Sequence, residues 1–270
     1  MPYVNNEGAQ IYYEVEGKGT PLLLQHGFGD NLEAWRTHGY VAALKEDYRL
    51  ILIDARGHGK SDKPHNAESY QFVNMVFDLI AVLDDLSITK AHYFGYSMGA
   101  NAGFYITVYA PERFLSLTLG GWAFARPGQE SADHRAMFAV HNSIKQAIAE
   151  NPVKPLEAFV ANIEKKSGHL PRALKDHYLS LDAFALAAIA EAHGNPSGPN
   201  TEEILPLIKL PYLIYAGEND PVLEAARYYA GRIPGARFIS FPGLNHRQCF
   251  EHSELVSPHV KKFLTEVNKK

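Results

Sequence analysis

Short apolar runs alternate with helix-like patterns over the first half of the chain and again near its end. Residues 10–16 alternate apolar and polar side chains, which predicts an antiparallel strand with one solvated face. Six shorter runs are more continuously apolar and predict buried parallel strands, at 21–25, 49–54, 91–94, 115–119, 212–216 and 237–241. Five stretches carry apolar residues at helical spacing, at 31–46, 70–86, 98–109, 221–232 and 252–268. This alternation predicts an α/β fold with a doubly wound, mostly parallel sheet.

A different pattern occupies residues 123–200. This segment has no strand pattern. Helical patterns occur at 133–150, 155–165 and 170–192, and a loop rich in glycine and proline follows at 193–200. We therefore expect residues 123–200 to form a helical cap inserted into an α/β core domain that is built from 1–122 and 201–270. The chain length of 270 residues fits one domain with an insertion.

Composition and charge narrow the function classes. Hydrophobic residues make up 46% and charged residues 21% of the chain, as in ordinary globular proteins. The net charge is −4 without a basic block, so we expect neither a nucleic-acid partner nor binding to an anionic membrane surface. No apolar run reaches the roughly 20 residues that cross a bilayer. The first residues lack the pattern of a signal peptide and Cys249 is the only cysteine, so we expect a cytoplasmic protein without disulfides.

The strongest chemical signal is the pentapeptide Gly95-Tyr96-Ser97-Met98-Gly99, which fits the G-x-S-x-G pattern of a nucleophile elbow. It directly follows a predicted strand and directly precedes a predicted helix, which is the context that the pattern requires. A sharp strand-to-helix turn would expose the Ser97 hydroxyl and point the positive end of the helix at it. The alternative is a turn of small residues with a packing role only. The strand-turn-helix context favours Ser97 as a nucleophile.

A serine nucleophile needs a base, and the base needs a partner that orients it. Asp220 follows the predicted strand 212–216, and His246 follows the predicted strand 237–241. Both lie at carboxyl ends of strands, where open α/β sheets bind ligands, and the order serine, acid, histidine is that of this type of site. Glu218 is a rival acid, Asp220 could instead cap the next helix, and His246 could be one of 13 solvated histidines.

The loop His26-Gly27-Phe28-Gly29 follows another predicted strand and is a candidate oxyanion loop. An oxyanion hole needs two backbone N–H groups that point at one position. We expect one from Met98, the residue after the nucleophile, and the other from Phe28, with the flanking glycines permitting close approach. A plain turn is the alternative. His26 is expected to support the loop rather than to act as a base.

Five motifs occur in an order and at intervals that resemble the α/β-hydrolase fold family, namely HGFG, DARGHGKSDKP, GYSMG, GENDP and GLNH. The chain looks closest to the capped branch that holds carboxylesterases, enol-lactone hydrolases, C–C bond hydrolases, epoxide hydrolases and haloalkane dehalogenases. The resemblance covers nearly the whole chain except the predicted cap. It implies that Ser97, Asp220 and His246 form a catalytic triad and that Phe28 and Met98 form the oxyanion hole.

One difference from some members of this family narrows the set of reactions that the chain could catalyse. Epoxide hydrolases and dehalogenases of this family carry aspartate as the nucleophile, whereas this chain has Ser97. Attack on an acyl carbon is therefore favoured over alkyl transfer. The motif DARGHG at 54–59 matches the family's turn after the fourth strand, and we interpret it as structural support.

The sequence thus predicts a serine hydrolase that cleaves small or medium carboxylic esters through an acyl-enzyme. Hydrolysis of lactones or of C–C bonds would use the same site, and a non-catalytic binder or receptor of this fold is the alternative from another class. We expect no metal and no cofactor, since neither H-E-x-x-H spacing nor a dinucleotide glycine motif in the right context occurs. Four aromatic residues could line an acyl pocket or belong to the core: Trp35, Trp122, Phe124 and Phe138. Of the aromatic residues in the predicted cap, Phe138 and Phe159 are expected to influence which acyl chain lengths are preferred.

Overall fold

The computed structural model describes residues 2–122, 132–194 and 201–269. Within these residues eight strands form one sheet: β1 (Tyr3–Asn6), β2 (Ala9–Glu16), β3 (Thr20–Gln25), β4 (Tyr48–Ile53), β5 (Ala91–Tyr96), β6 (Phe114–Gly120), β7 (Tyr212–Gly217) and β8 (Arg237–Phe241). The spatial order of the strands is β1-β2-β4-β3-β5-β6-β7-β8. β2 pairs antiparallel with β1 and with β4, and the remaining pairs are parallel. The prediction of a doubly wound, mostly parallel sheet is confirmed.

Helices connect the strands. The described residues hold α1 (Glu33–Thr37), α2 (Tyr40–Leu44), α3 (Phe72–Asp85), α4 (Met98–Tyr109), α5 (Ala132–Glu150), α6 (Pro155–Ser167), α7 (Arg172–Leu179), α8 (Ala183–Gly194), α9 (Thr201–Ile204), α10 (Leu223–Ala230), α11 (His246–Glu251) and α12 (Ser253–Asn268). Short 3-10 helices occur at Ala67–Tyr70, Pro111–Arg113 and Leu205–Leu207.

The sheet is buried on both faces, which explains why its parallel strands have nearly continuous apolar runs. One cluster of buried side chains includes Met75 of α3, Phe104 of α4 and Tyr229 of α10. A second cluster includes Trp35 of α1 and Phe263 of α12. The helices of the two clusters therefore lie on opposite faces of the sheet.

The carboxyl ends of the central strands meet at one edge of the sheet. Gln25, the last residue of β3, is in register both with Ile53 of β4 and with Gly95 of β5. Likewise Gly217 of β7 is in register with Phe241 of β8. Strand order reverses at β3, and in open α/β sheets such a switch point opens the crevice that binds ligands.

Two predicted helices are interrupted. The predicted helix 31–46 is split into α1 and α2, because Gly39 adopts a left-handed φ of 86° and turns the chain. The predicted helix 170–192 is split into α7 and α8. There the Asp182 side chain accepts a hydrogen bond from the Ala185 N–H (2.9 Å) and caps the start of α8.

The elements that were not predicted at all include β1 and α11. The β1 strand has only four residues, and these alternate between exposed and half-buried side chains. Its sequence pattern is too short to predict a strand, and the strand is defined by its pairing with β2. The helix α11 has six residues and begins at His246. Such a short helix carries too few apolar positions to show a period.

The segment that was predicted to be a cap contains α5, α6, α7 and α8 in its described part, between β6 and β7. Residues 132–194 include no strand. The α8 residues Leu186 and Ile189 are buried in the same cluster as α3 and α4. The segment is thus packed onto the core domain, and its division into a separate cap at 123 and 200 stays a prediction.

A buried ion pair supports the turn after β4. Nε and Nη2 of Arg56 donate to the two carboxylate oxygens of Asp78 at 2.7 and 2.6 Å. Nη1 of Arg56 donates to the Ser69 carbonyl (2.7 Å), and the Asn6 amide of β1 donates to Asp78 (2.8 Å). The two charged side chains are only 6% and 4% exposed. The pair therefore ties β1, the turn at 54–59 and α3 together.

Replacing Asp78 by alanine is expected to lower the free energy of unfolding by about 3–5 kcal/mol, because the Arg56 guanidinium would stay buried without its counter-ion. Urea denaturation followed by circular dichroism measures the loss. Asp84→Ala is the matched control, because Asp84 pairs with Arg113 at 2.6 Å but is 62% exposed. That change should cost less than about 1 kcal/mol. Equal losses in the two variants would contradict the prediction.

Candidate active site

The nucleophile candidate Ser97 lies in a sharp turn between β5 and α4. Its φ is 51° and its ψ is −112°, a conformation that non-glycine residues rarely adopt. The Ser97 N–H donates to the Gly120 carbonyl at the end of β6 (2.8 Å), and the Ser97 carbonyl accepts from the Asn101 N–H (2.9 Å). Such a backbone conformation costs roughly 1–3 kcal/mol and persists where the surroundings enforce it. The turn holds the half-buried serine at the carboxyl edge of the sheet.

The two glycines of the pentapeptide are required by close backbone packing. A Cβ at Gly95 would lie 2.5 Å from the backbone of Gly99, where α4 crosses the end of β5. A Cβ at Gly99 would lie 2.3 Å from the carbonyl oxygen of Gln25, the last residue of β3. Real Cβ atoms essentially never approach so closely. A larger residue at either position would therefore displace the turn and Ser97 with it.

His246 lies directly against Ser97, at the first residue of α11. Its Nε2 is 3.0 Å from the Ser97 Oγ. A capping box starts the helix: the Asn245 side chain accepts from the Gln248 N–H, and the Gln248 side chain accepts from the Asn245 N–H. The Tyr96 hydroxyl donates to the His246 carbonyl. The imidazole is thus positioned both by its own helix and by the nucleophile turn.

Asp220 lies on the other side of the imidazole. Its Oδ2 is 2.8 Å from the His246 Nδ1, and its side chain is 0% exposed. Its Oδ1 accepts from the Val222 N–H (3.0 Å), so capping and the histidine contact use different oxygens. An ionised carboxylate only accepts hydrogen bonds, so the proton of a neutral His246 lies on Nδ1. Nε2 is then left as the acceptor for the Ser97 hydroxyl.

The rival acid Glu218 lies elsewhere. Its carboxylate accepts a hydrogen bond from the Ser240 hydroxyl (3.2 Å) at an exposed position. The structure therefore brings Asp220 together with Ser97 and His246, and it does not bring Glu218 to them.

The loops that carry the acid and the histidine are linked to each other. The Asn219 backbone N–H donates to the Leu244 carbonyl, and the Asn219 side chain donates to the Gly243 carbonyl, both at 2.9 Å. A Cβ at Gly217 would lie 2.1 Å from the Leu244 oxygen, so only glycine permits this approach. Sequence reasoning missed Asn219 and Tyr96 as supporting residues. Their positions within GENDP and GYSMG are the signal that could have found them.

Phe28 follows β3 in a loop that passes beside the nucleophile. A Cβ at the preceding Gly27 would lie 3.4 Å from the Cβ of Ser97. Within the described part of the chain, the backbone N–H groups of Phe28 and Met98 donate to no protein acceptor. Two N–H groups without a protein partner on either side of a serine are the elements that an oxyanion hole requires.

His26 is buried in the support of this loop. Its Nδ1–H donates to the Gly27 carbonyl (2.8 Å), and its Nε2 accepts from the Ala55 N–H (3.1 Å). Both ring nitrogens are thus used by backbone groups. This arrangement agrees with the expectation that His26 supports the loop rather than acting as a base.

His58 of the DARGHG turn supports the same loop from the other side. Its Nε2 accepts from the Gly29 N–H (3.0 Å), and its Nδ1–H donates to the Arg56 carbonyl (3.1 Å). Burial holds the pKa of His58 well below its usual range, and the neighbouring His26 lowers this pKa further. The ring therefore stays neutral, as acceptance of the Gly29 N–H requires.

Two of the aromatic residues considered for an acyl pocket belong to the core. Trp35 is 0% exposed and packs edge-on against Phe94, with ring centroids 4.8 Å apart. Trp122 is also 0% exposed and stacks on Phe104 at 5.3 Å.

The remaining aromatic residues named from the sequence lie in the inserted segment. Phe124 and the side chain of Phe138 fall outside the described residues. Phe159 on α6 is half-buried and packs edge-on against Tyr178 of α7, with ring centroids 5.9 Å apart.

Cys249 lies three residues after His246 and is buried. Burial, with a contribution from the Asp220 charge, raises the pKa of its thiol to about 12. The thiol therefore stays protonated near neutral pH and acts as a small apolar group.

Neither a metal site nor a membrane span is found among the described residues. Across 2–122, 132–194 and 201–269, no group of three or more His, Cys, Asp or Glu side chains is placed to hold a metal ion. None of the helices in these ranges has the length and apolar character that crossing a bilayer requires.

Comparison with known proteins places this geometry in a family. The family model described as "alpha/beta hydrolase fold" matches residues 20–253. The chain is 31% identical to 3-oxoadipate enol-lactonase 2 of Acinetobacter baylyi, covering 76% of this chain and 73% of the relative.

Two solved structures show the same fold. The esterase RhEst1 from Rhodococcus sp. ECU1013 is 26% identical with a TM-score of 0.75, covering 98% of each chain. The enol-lactonase from Burkholderia xenovorans LB400 is 22% identical with a TM-score of 0.78, covering 98% of this chain and 100% of that one. The match of the family model over most of the chain confirms the resemblance of the five sequence motifs. This chain therefore belongs to the α/β-hydrolase fold family and is a hydrolase.

Proposed function

We propose that this protein hydrolyses carboxylic esters of small or medium acyl groups through an acyl-enzyme formed on Ser97. One observation carries the proposal: a hydrogen-bonded chain runs from Ser97 Oγ to His246 Nε2 (3.0 Å) and from His246 Nδ1 to Asp220 Oδ2 (2.8 Å). A serine hydroxyl becomes a useful nucleophile when such a base and such an orienting acid adjoin it. The proposal rests on this site, because the fold alone does not define an activity.

Acylation begins with attack of the Ser97 Oγ on the ester carbonyl carbon, while Nε2 of His246 takes the hydroxyl proton. The buried Asp220 carboxylate stabilises the imidazolium that forms. The new oxyanion accepts hydrogen bonds from the N–H groups of Phe28 and Met98, each worth roughly 3–4 kcal/mol in comparable sites. When the tetrahedral intermediate collapses, the C–O bond to the alcohol breaks and the departing oxygen takes the proton from His246.

Deacylation repeats these roles with water as the nucleophile. His246 removes a proton from a water molecule, whose oxygen attacks the acyl carbon held on Ser97. The oxyanion hole again stabilises the intermediate, and its collapse releases the carboxylic acid and returns the proton to the Ser97 oxygen. These steps use side chains, backbone N–H groups and water only.

Lactone hydrolysis is the second candidate function. It is favoured by the similarity to relatives that are named enol-lactonases. The same residues would act on a cyclic ester, with one difference: the leaving oxygen stays covalently attached to the acyl group until water releases both together. The two candidates therefore share a site and differ in the shape of substrate that the inserted segment admits.

A panel of substrates separates the candidates. Wild type and Ser97→Ala are assayed side by side on acetyl to octanoyl esters and on five- and six-membered lactones. We expect the best ester to be cleaved with a kcat/KM of at least about 10⁴ M⁻¹s⁻¹, above the value of every lactone tested. A lactone faster than every ester would support the second candidate. No turnover of any substrate, together with no labelling by a serine-directed phosphonate, would support a non-catalytic binder.

A further inference from the structure

Histidine rings hold consecutive peptide units of the loop that carries the Phe28 N–H. His26 donates to the Gly27 carbonyl (2.8 Å) and so holds the peptide unit that contains this N–H. His58 accepts from the Gly29 N–H (3.0 Å) and holds the next peptide unit. Both rings belong to the core domain and are buried.

The third peptide unit of the loop is held from the inserted segment. Nε2 of His177, on α7, lies 2.8 Å from the Gly29 carbonyl oxygen. Because a carbonyl only accepts hydrogen bonds, the proton must lie on Nε2 of His177. Leu181 lies against the same glycine, since a Cβ there would be 4.0 Å from the Leu181 Cδ1. The inserted segment thus contacts the loop through a polar side chain on α7 and an apolar side chain just after α7.

The loop needs such support because glycines flank its reactive N–H. Gly29 has a left-handed φ of 77°, and Gly27 precedes Phe28 directly. Glycine adopts many backbone conformations at little cost, so a peptide unit between two glycines reorients easily unless it is held. An oxyanion hole works by presenting its donors already in place, and a shift of about 1 Å can cost a hundredfold in rate.

The position of α7 is itself tied to the rest of the inserted segment. Tyr178, the residue after His177, packs edge-on against Phe159 of α6. Lys175 of α7 donates to Glu164 of α6 at 3.2 Å. A movement of these helices would therefore move the His177 ring relative to the loop.

We propose that His177 is a positioning residue that couples the placement of α7 to the orientation of the Phe28 N–H. This inference rests on the proposed function, in which that N–H stabilises the oxyanion. His177 acts through its contact with the Gly29 carbonyl and not on the reacting atoms. Its hydrogen bond to Gly29 keeps the loop in the orientation that the transition state requires, so its loss lowers kcat and leaves KM nearly unchanged.

The test compares His177→Leu, which removes the donor at similar volume, with His177→Gln, whose side-chain N–H₂ can reach the Gly29 carbonyl. Rates are expressed per active site titrated with a serine-directed phosphonate, so unfolded protein does not count. We expect His177→Leu to lower kcat about tenfold with KM within about twofold, and His177→Gln to restore at least half of the wild-type kcat. The affinity for a trifluoromethyl ketone, whose adduct places an oxyanion in the hole, should fall in parallel with kcat.

His169→Leu is the matched control. His169 precedes α7, its side chain is 85% exposed, and it pairs with Glu164 rather than with the loop. The kcat of His169→Leu should equal that of wild type. A His177→Leu enzyme with wild-type kcat, or a His177→Gln enzyme as slow as His177→Leu, overturns the inference. Ser97→Ala, assayed in parallel, tests the proposed function separately: if it stays active the function fails, whereas if it is inactive and His177→Leu is fully active only the role of His177 fails.

Discussion

Replacing Ser97 by alanine is expected to lower kcat/KM for the best ester by about 10⁴-fold or more, and to abolish covalent labelling by a serine-directed phosphonate. Under the proposed function, the variant keeps the N–H groups of Phe28 and Met98 and the binding surface but has no oxygen to form the acyl-enzyme. Steady-state kinetics on the ester panel measure the first effect, and mass spectrometry of the intact phosphonate adduct measures the second.

Ser87→Ala is the matched control for backbone effects. Ser87 also has a positive φ, 54° against 51° for Ser97, but it is exposed and precedes β5 rather than following it. Both substitutions therefore remove a hydroxyl from a residue with a positive φ. The Ser87 variant should keep a rate within about twofold of wild type, as surface changes usually do. If Ser97→Ala kept more than about a tenth of the activity, Ser97 would not be the nucleophile.

Replacing Asp220 by asparagine is expected to lower kcat/KM by at least about a hundredfold; the corresponding change in a serine protease costs about 10⁴-fold. Asparagine can still accept from the Val222 N–H, as Oδ1 of Asp220 does at 3.0 Å. Its amide N–H₂ would face Nδ1 of His246, however, and favours the tautomer with the proton on Nε2. That tautomer cannot take the proton of Ser97, so kcat falls while the protein stays folded.

Glu218→Gln is the control, since it makes the same chemical change two residues away on the same loop. Glu218 contacts Ser240 at an exposed position, so its variant should keep a rate within about twofold of wild type. Circular dichroism and urea denaturation of both variants test whether each remains folded. If Glu218→Gln strongly lowered kcat/KM while Asp220→Asn left it nearly unchanged, the acid would have been assigned to the wrong carboxylate.

The sheet could be predicted because its buried strands leave a strong pattern. The run at 49–54 is apolar from 50 to 53 and the run at 212–216 is apolar throughout, and both correspond to strands covered by helices on two faces. The helix predicted at 98–109 matches α4 at both ends. There the nucleophile turn marks the start, and the proline at 111 prevents continuation.

The elements that were missed depend on contacts rather than on local pattern. Gly39 interrupts a helix-like pattern because it adopts a left-handed φ between α1 and α2, at a point where Ser253 Oγ of α12 lies 3.0 Å from the position of an added Cβ. The short β1 strand is defined by pairing with β2 and by the contact of Asn6 with Asp78. Neither partner is a neighbour in sequence.

The sequence alone determined the family, the order of the candidate residues and the strand end at which each lies. These follow from local features: the glycines of the elbow, the apolar run before each motif, and the rule that parallel strands end at one edge. Only the tertiary structure decided which carboxylate adjoins the histidine. Ser97 and His246 are 149 residues apart and Asp220 and His246 are 26 apart, so sequence spacing could not separate Asp220 from Glu218.

The same limit applies with more force to His177 and Gly29, which are 148 residues apart. Nothing in the pattern around a histidine on an amphipathic helix tells which backbone carbonyl its ring will reach. Local sequence specifies backbone conformation and burial, because these depend on neighbours within a few residues. A hydrogen bond between distant segments depends on how the packed core places two helices and a loop, and that placement is a property of the folded chain as a whole.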